Sequence, residues 1–200
     1  MGQRFAVRYC RGSCHCRGKL FFSSGTGISP GAFILLNYYL KHFNQIGTEN
    51  FVVVAPDTGG ANRARAFAKR LGDIPLAFID KRRPMTNQVE VLNVVGDVAG
   101  KHCLIIDDIM DTARTITEVA RILRKNGALD IYASATHPML SGTAIQSLAE
   151  SPIKEVVVTN TIPVPREKAI PKIKVLSIAK LLADAITRIH NEESVSSLFV

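Results

Sequence analysis

Two adjacent carboxylates, Asp107 and Asp108, close the apolar run of "HCLIIDD", and a third, Asp111, opens the small-residue stretch "DTART" behind it. Carboxylates this close repel one another unless hydroxyls or a divalent cation share their charge. The flanks say where they sit. Cys103 to Ile106 is short, apolar and uncharged, as a strand buried on both faces is. From Thr115 onward Ile116, Val119, Ala120 and Leu123 recur at helical spacing. The segment therefore reads as strand, loop, helix, and such a loop offers backbone N–H groups and a positive helix end that together attract phosphate. Carboxylates beside a phosphate pocket point to a phosphorylated sugar, with Asp107 and Asp108 on its hydroxyls or its metal. The pair alone does not decide, because a DD after a strand can simply cap a helix.

Three other stretches carry candidate chemistry. In "PDTGG" Asp57 follows an apolar strand and precedes two glycines, whose lack of a side chain lets backbone approach a ligand; Asp57 could hold Mg²⁺ there or merely cap a turn. "DKRRP" places Lys81, Arg82 and Arg83 together. Such runs are usually solvated, but phosphoryl transfer needs cations that offset charge on the phosphate oxygens, and an arm that moves can deliver them after substrate binds. In "THPMLSG" His137 ends a strand and is expected at the same C-terminal sheet edge as Asp57 and Asp107, as a pocket lining.

The elements that must position these groups are legible as alternating patterns. Helical spacing covers Phe33 to Phe43, "ANRARAFAKRLG" with Arg63, Arg65 and Lys69 turned outward, and "GTAIQSLAE". "FVVVAP", "PLAFID", "DIYASATHP" and "EVVVTN" read as strands, and "IKVLSIAKLLADAITRIH" as a strand that turns into a helix. Between Lys81 and His102 the chain is polar, with Pro84, Gly96 and Gly100, and is expected to form an extended arm or hairpin. Strands alternating with helices predict an α/β fold with a mostly parallel sheet and helices on both faces.

Composition bounds the partners. The chain has 200 residues, 46% of them hydrophobic and 21% charged, which suits a globular domain. No apolar run reaches the length of about 18 residues that spans a bilayer, and the basic N-terminus lacks a signal-peptide core. A soluble cytoplasmic protein with reduced cysteines is expected. The net charge of +8 suits phosphorylated metabolites better than nucleic acid, because no aromatic residues interleave the basic clusters as a single-strand stacking platform requires. Residues 1–31 differ from the rest. Cys10, Cys14, His15 and Cys16 suggest zinc, but they lack paired CxxC geometry and adjacent ligands crowd one another. The segment reads as an irregular, poorly ordered leader.

The pattern Asp107, Asp108, Asp111, Thr112, Ala113, Thr115 resembles the phosphoribosyl diphosphate loop of type I phosphoribosyltransferases. Added to it, "VVVAPDTGG", "RARAFAKRL", "IDKRRP", "VVGDVAGK", "ATHPMLSG", "VVVTNTIP" and "SVSSLF" stand in the order seen in the ribose-phosphate diphosphokinases. The likeness runs from about Ala32 to Val200. It implies a phosphoribosyltransferase-like C-terminal domain over residues 32–200. In the implied reaction the 1-hydroxyl of ribose 5-phosphate attacks the β-phosphorus of MgATP, the diphosphoryl group moves as a unit, and AMP leaves.

The same resemblance implies residue roles. Asp107 and Asp108 would bind the ribose hydroxyls, while Asp111, Thr112, Ala113, Arg114 and Thr115 would wrap the 5-phosphate. Lys81 and Arg83 would be the catalytic pair, Arg83 also reaching ribose 5-phosphate, and Asp57 would be a Mg²⁺ ligand. Arg114 stands where glycine is most usual, and backbone-held phosphate should tolerate it; Thr58 stands where many members carry histidine. Members assemble as dimers stacked into hexamers, with a regulatory site near the C-terminal serines, here Ser194, Ser196 and Ser197. They also carry an N-terminal ATP-binding half that the likeness does not reach. The expectation is a chain without that half and with little turnover alone; the alternative is a non-catalytic regulatory or associated subunit of the synthase.

Overall fold

The chain of valines and isoleucines that reads as buried strands does form one sheet. The computed structural model describes residues 29–46, 49–82 and 91–199. In chain order these are α1 (Pro30–Ile46), β1 (Phe51–Ala55), α2 (Ala61–Arg70), β2 (Leu76–Arg82), β3 (Val91–Val95), β4 (His102–Met110), α3 (Arg114–Lys125), β5 (Ile131–Pro138), α4 (Ala144–Ala149), β6 (Glu155–Thr159), β7 (Ile173–Leu176) and α5 (Ala179–His190). The seven strands lie in the order β3-β2-β1-β4-β5-β6-β7, all parallel except β3, which runs antiparallel to β2.

Alternation within each strand sorts the core into two layers. Phe51, Val53 and Ala55 of β1 and Leu104 and Ile106 of β4 face α1 and α2, where Leu35, Tyr39, Ala64 and Phe67 meet them. Val52, Val54, Cys103 and Ile105 face α3 and α4, against Ile116, Val119, Leu123 and Leu148. Helices thus cover both faces, as the sequence predicts. Two close approaches fix α1: a Cβ on Gly31 would overlap Thr136 Cγ2, and the buried Tyr39 hydroxyl lies 2.8 Å from Ser134 Oγ. Burial pushes the Cys103 thiol up to about 12, so this cysteine is a packing group rather than a nucleophile.

Several boundaries move. The first helix begins at Pro30 rather than Phe33, because proline is well suited to a first helical position. β4 does not end at Ile106 but continues through Asp107 and Asp108 to Met110, since β5 keeps pairing with it up to Met110↔Pro138. β2 runs into Lys81 and Arg82, and the polar arm is in part a ladder with β3, Lys81 standing opposite Leu92. Cys10, Cys14, His15 and Cys16 lie outside the described residues, which contain no helix long and apolar enough to cross a membrane.

Candidate functional site

The strand order turns outward between β1 and β4: β1 leads through α2 to β2 on one side, and β4 leads through α3 to β5 on the other. Open α/β sheets bind ligands outside the carboxyl ends of their strands at such a divergence. Two of the sequence-predicted stretches sit there, "PDTGG" after β1 and the Asp111 to Thr115 loop after β4.

The β4–α3 loop presents an open helix end. Thr117 N–H is bonded to Ala113 O at 3.0 Å, so the N–H groups of Arg114, Thr115 and Ile116 precede the helical ladder. No side chain caps them and the first turn holds no acid. Ala113 takes the left-handed conformation at φ 59, which bends the chain into the helix and is uncommon for a residue with a Cβ. The loop is braced from the side: Leu140 N–H bonds Met110 O and Ser141 N–H bonds Asp111 O, both at 3.0 Å, and Ser141 Oγ donates to the Asp111 carboxylate. Arg114 and Thr112 are exposed and Thr115 half-buried.

Asp107 and Asp108 stand on the strand, not on the loop, where β4 has outrun β1. The last β1 pairing is Val54↔Ile105, so beyond it a side chain from α2 can reach the flank of β4. Arg63 does so. Its Nη1 lies 3.3 Å from Asp107 Oδ1 and its Nη2 2.7 Å from Asp108 Oδ2. Outward placement therefore holds for Arg65 and Lys69 but fails for Arg63, which a helical wheel alone cannot assign to a partner 44 residues away. Burial raises Asp107 to about 7, with the neighbouring Asp108 adding to the rise and Arg63 opposing it. Burial also works against ionising Asp108, but its hydrogen bond with Asp107 and the Arg63 charge outweigh it and hold that carboxyl low. The pair titrates as a unit.

The remaining predicted residues divide. Asp57 is exposed, with Oδ1 accepting the Gly60 N–H at 2.8 Å, so it caps the turn into α2. Its exposure suits Mg²⁺, which usually takes only one or two carboxylates and completes its shell with waters and substrate phosphates. No group of three or more possible metal ligands gathers among the described residues. Lys81 is placed by its backbone only, on β2, and Arg83 lies outside the described residues. His137 Nδ1 lies 3.0 Å from Thr161 Oγ1 at the end of β5. Ser194, Ser196 and Ser197 are exposed and bond one another beyond α5, Ser194 Oγ to Ser196 Oγ at 2.6 Å and Ser197 Oγ to Ser194 O at 2.9 Å. Arg63 and Ser141 are the site residues that sequence reasoning missed.

A groove of about 540 Å³ lies at the opposite edge of the sheet, lined by His42, Phe51, His102, Asp130, Tyr132 and Lys154 among others. Its charges satisfy one another, Lys154 lying 2.8 Å from Asp130, and it shares no residue with the loops above.

Comparison with known proteins identifies a family for the chain. The phosphoribosyl synthetase-associated domain family matches residues 73–200. The chain is 51% identical over 169 residues to a ribose-phosphate pyrophosphokinase of Gloeobacter violaceus, covering 84% of this chain and 50% of the relative. It is 54% identical over 169 residues to that of Caldanaerobacter subterraneus subsp. tengcongensis, covering 84% of this chain and 52% of the relative. A crystal structure of phosphoribosylpyrophosphate synthetase from Mycobacterium smegmatis superposes with a TM-score of 0.72 at 43% identity, covering 80% of this chain and 50% of that one. The chain spans about half the length of the curated relatives it matches.

Proposed function

We propose that this chain, which belongs to the ribose-phosphate pyrophosphokinase family, carries the ribose 5-phosphate site of a ribose-phosphate diphosphokinase, with Asp107 and Asp108 on the sugar hydroxyls and the Asp111 to Thr115 loop on the 5-phosphate. The observation that carries the reading is the uncapped, acid-free N-terminus of α3 next to a carboxylate pair. The helix end supplies oriented donors and roughly half a positive charge for the phosphate. The carboxylates supply acceptors for a diol, and their negative charge would otherwise repel a bare phosphate. A phosphosugar uses both halves; neither inorganic phosphate nor an unphosphorylated sugar does.

Within this reading Asp57 is the residue that would hold Mg²⁺, which would offset the negative charge of the ATP phosphates. Lys81, on β2, and Arg83, two residues further on in the sequence, would clamp the transferring group, Arg83 also touching ribose 5-phosphate. Positioning both substrates in line is most of what such a site must do. A titration of the chain with ribose 5-phosphate, ribose and inorganic phosphate tests the assignment by calorimetry. The expected order of affinity places ribose 5-phosphate first. Equal affinities for ribose 5-phosphate and inorganic phosphate would exclude the carboxylates from the site.

Assembly of copies belongs to the same proposal. On α5, Leu182, Ile186 and Ile189 fall on one helical face and are 52%, 67% and 50% exposed. Apolar residues so placed favour self-association. Sedimentation equilibrium should show mass rising with concentration, and a homogeneous monomer at the highest loading contradicts it.

A further inference from the structure

We propose that Arg63 is the positioning residue of the sugar-hydroxyl site: its guanidinium, reaching from α2 to β4, holds Asp107 and Asp108 in the single arrangement in which both accept from a diol. This rests on the reading of the two carboxylates as hydroxyl-binding groups. Neighbouring side chains on a strand point to opposite faces, yet one guanidinium touches both here, at 3.3 and 2.7 Å. They converge because each carboxylate folds back onto a backbone amide. Asp107 Oδ1 accepts the Asp108 N–H at 2.8 Å, and Asp108 Oδ1 accepts the Ile109 N–H at 3.0 Å.

An arginine suits this task and a lysine does not. The planar fork has two donors a fixed distance apart and can span two carboxylates, whereas an ammonium is a point charge that favours one. Without the fork, two acids on consecutive residues rotate apart to relieve repulsion, and the diol meets one acceptor instead of two. The three side chains are 28%, 22% and 50% exposed, so the ion pairs themselves add little to folding stability. The consequence of losing Arg63 therefore falls on ligand affinity.

The test is a set of titrations of the full chain with ribose 5-phosphate and, separately, with inorganic phosphate, followed by NMR. Arg63→Ala should weaken ribose 5-phosphate about fivefold while leaving inorganic phosphate and the unfolding midpoint unchanged. Arg63→Lys should recover part of the loss. In a chain already carrying Asp107→Ala and Asp108→Ala, Arg63→Ala should change nothing further. An equal loss for both ligands, or an undiminished loss in the chain without the carboxylates, overturns the positioning role while leaving the phosphosugar site intact. A parent chain that binds inorganic phosphate but shows no preference for ribose 5-phosphate overturns the underlying site assignment, and Arg63's role with it.

Discussion

Asp107→Ala should weaken ribose 5-phosphate binding at pH 8 by roughly tenfold to a hundredfold, the loss of one hydrogen bond to an ionised acceptor being worth about 1.5–3 kcal/mol. The parent chain should show much of the same loss on acidification alone. Burial raises Asp107 to about 7, so the pair carries less negative charge at pH 6 than at pH 8. Affinity should fall roughly tenfold between those values. Asp107→Asn keeps the shape and an acceptor but cannot titrate, so the part of the profile centred near 7 should vanish. What remains reflects the ligand phosphate, whose second ionisation lies near 6.

The sign of the effect on folding is opposite to that of an ordinary salt-bridged acid. The folded chain holds the Asp107 proton up to about pH 7, whereas the unfolded chain releases it near 4. Across that window the folded state binds more protons, so parent stability declines as pH rises from about 4 to about 7 and then levels. Asp107→Asn should lack that decline, its melting temperature overtaking the parent's as pH is raised. A variant that tracks the parent at every pH would show that Asp107 is not the titrating group. Calorimetric titrations and melts over pH 4 to 8 supply both measurements.

Gly96→Ala should destabilise the fold by about 3 kcal/mol, through two separable costs. Gly96 has φ +118, which a residue with a Cβ adopts only at a cost of about 1–2 kcal/mol. A Cβ there would also stand 2.8 Å from Ala77 Cβ, 2.9 Å from Ala77 Cα and 3.1 Å from Leu76 O, so it meets the backbone of β2 rather than a side chain that can swing away. Overpacking of that kind adds about 1–3 kcal/mol. Gly100 supplies the control. It has φ +68 with nothing within 4 Å of the added atom, so Gly100→Ala should pay only the conformational part. In urea, at about 2 kcal/mol per molar, the Gly96→Ala midpoint should drop by about 1.5 M. A loss no greater than that of Gly100→Ala would mean that β3 does not turn this tightly against β2.

The layers and the turn from β4 into α3 are legible in the sequence, because both rest on patterns local in the chain. Apolar runs such as "FVVVA" and "CLII", each beside a segment of helical period, are enough for a parallel sheet covered on both faces. Small residues between Asp111 and Thr115 are enough for a turn into a helix. Where β4 ends and what meets its carboxylates depend on how the sheet assembles. A strand stops when its neighbour stops pairing, so Asp107 and Asp108 belong to β4 because β5 runs on to Pro138, which no property of "DDIM" reveals. In the sequence Arg63 reads as one more solvated cation on a basic helix; its partners follow from β1 ending at Ala55, which leaves the flank of β4 within reach of α2. Ser141 is the parallel case on the other side, joined to Asp111 through a contact 30 residues apart in the chain. Periodicity reports which face of an element is buried, whereas a charge pair between two elements depends on their relative lengths and placement, and those are fixed only when the sheet assembles.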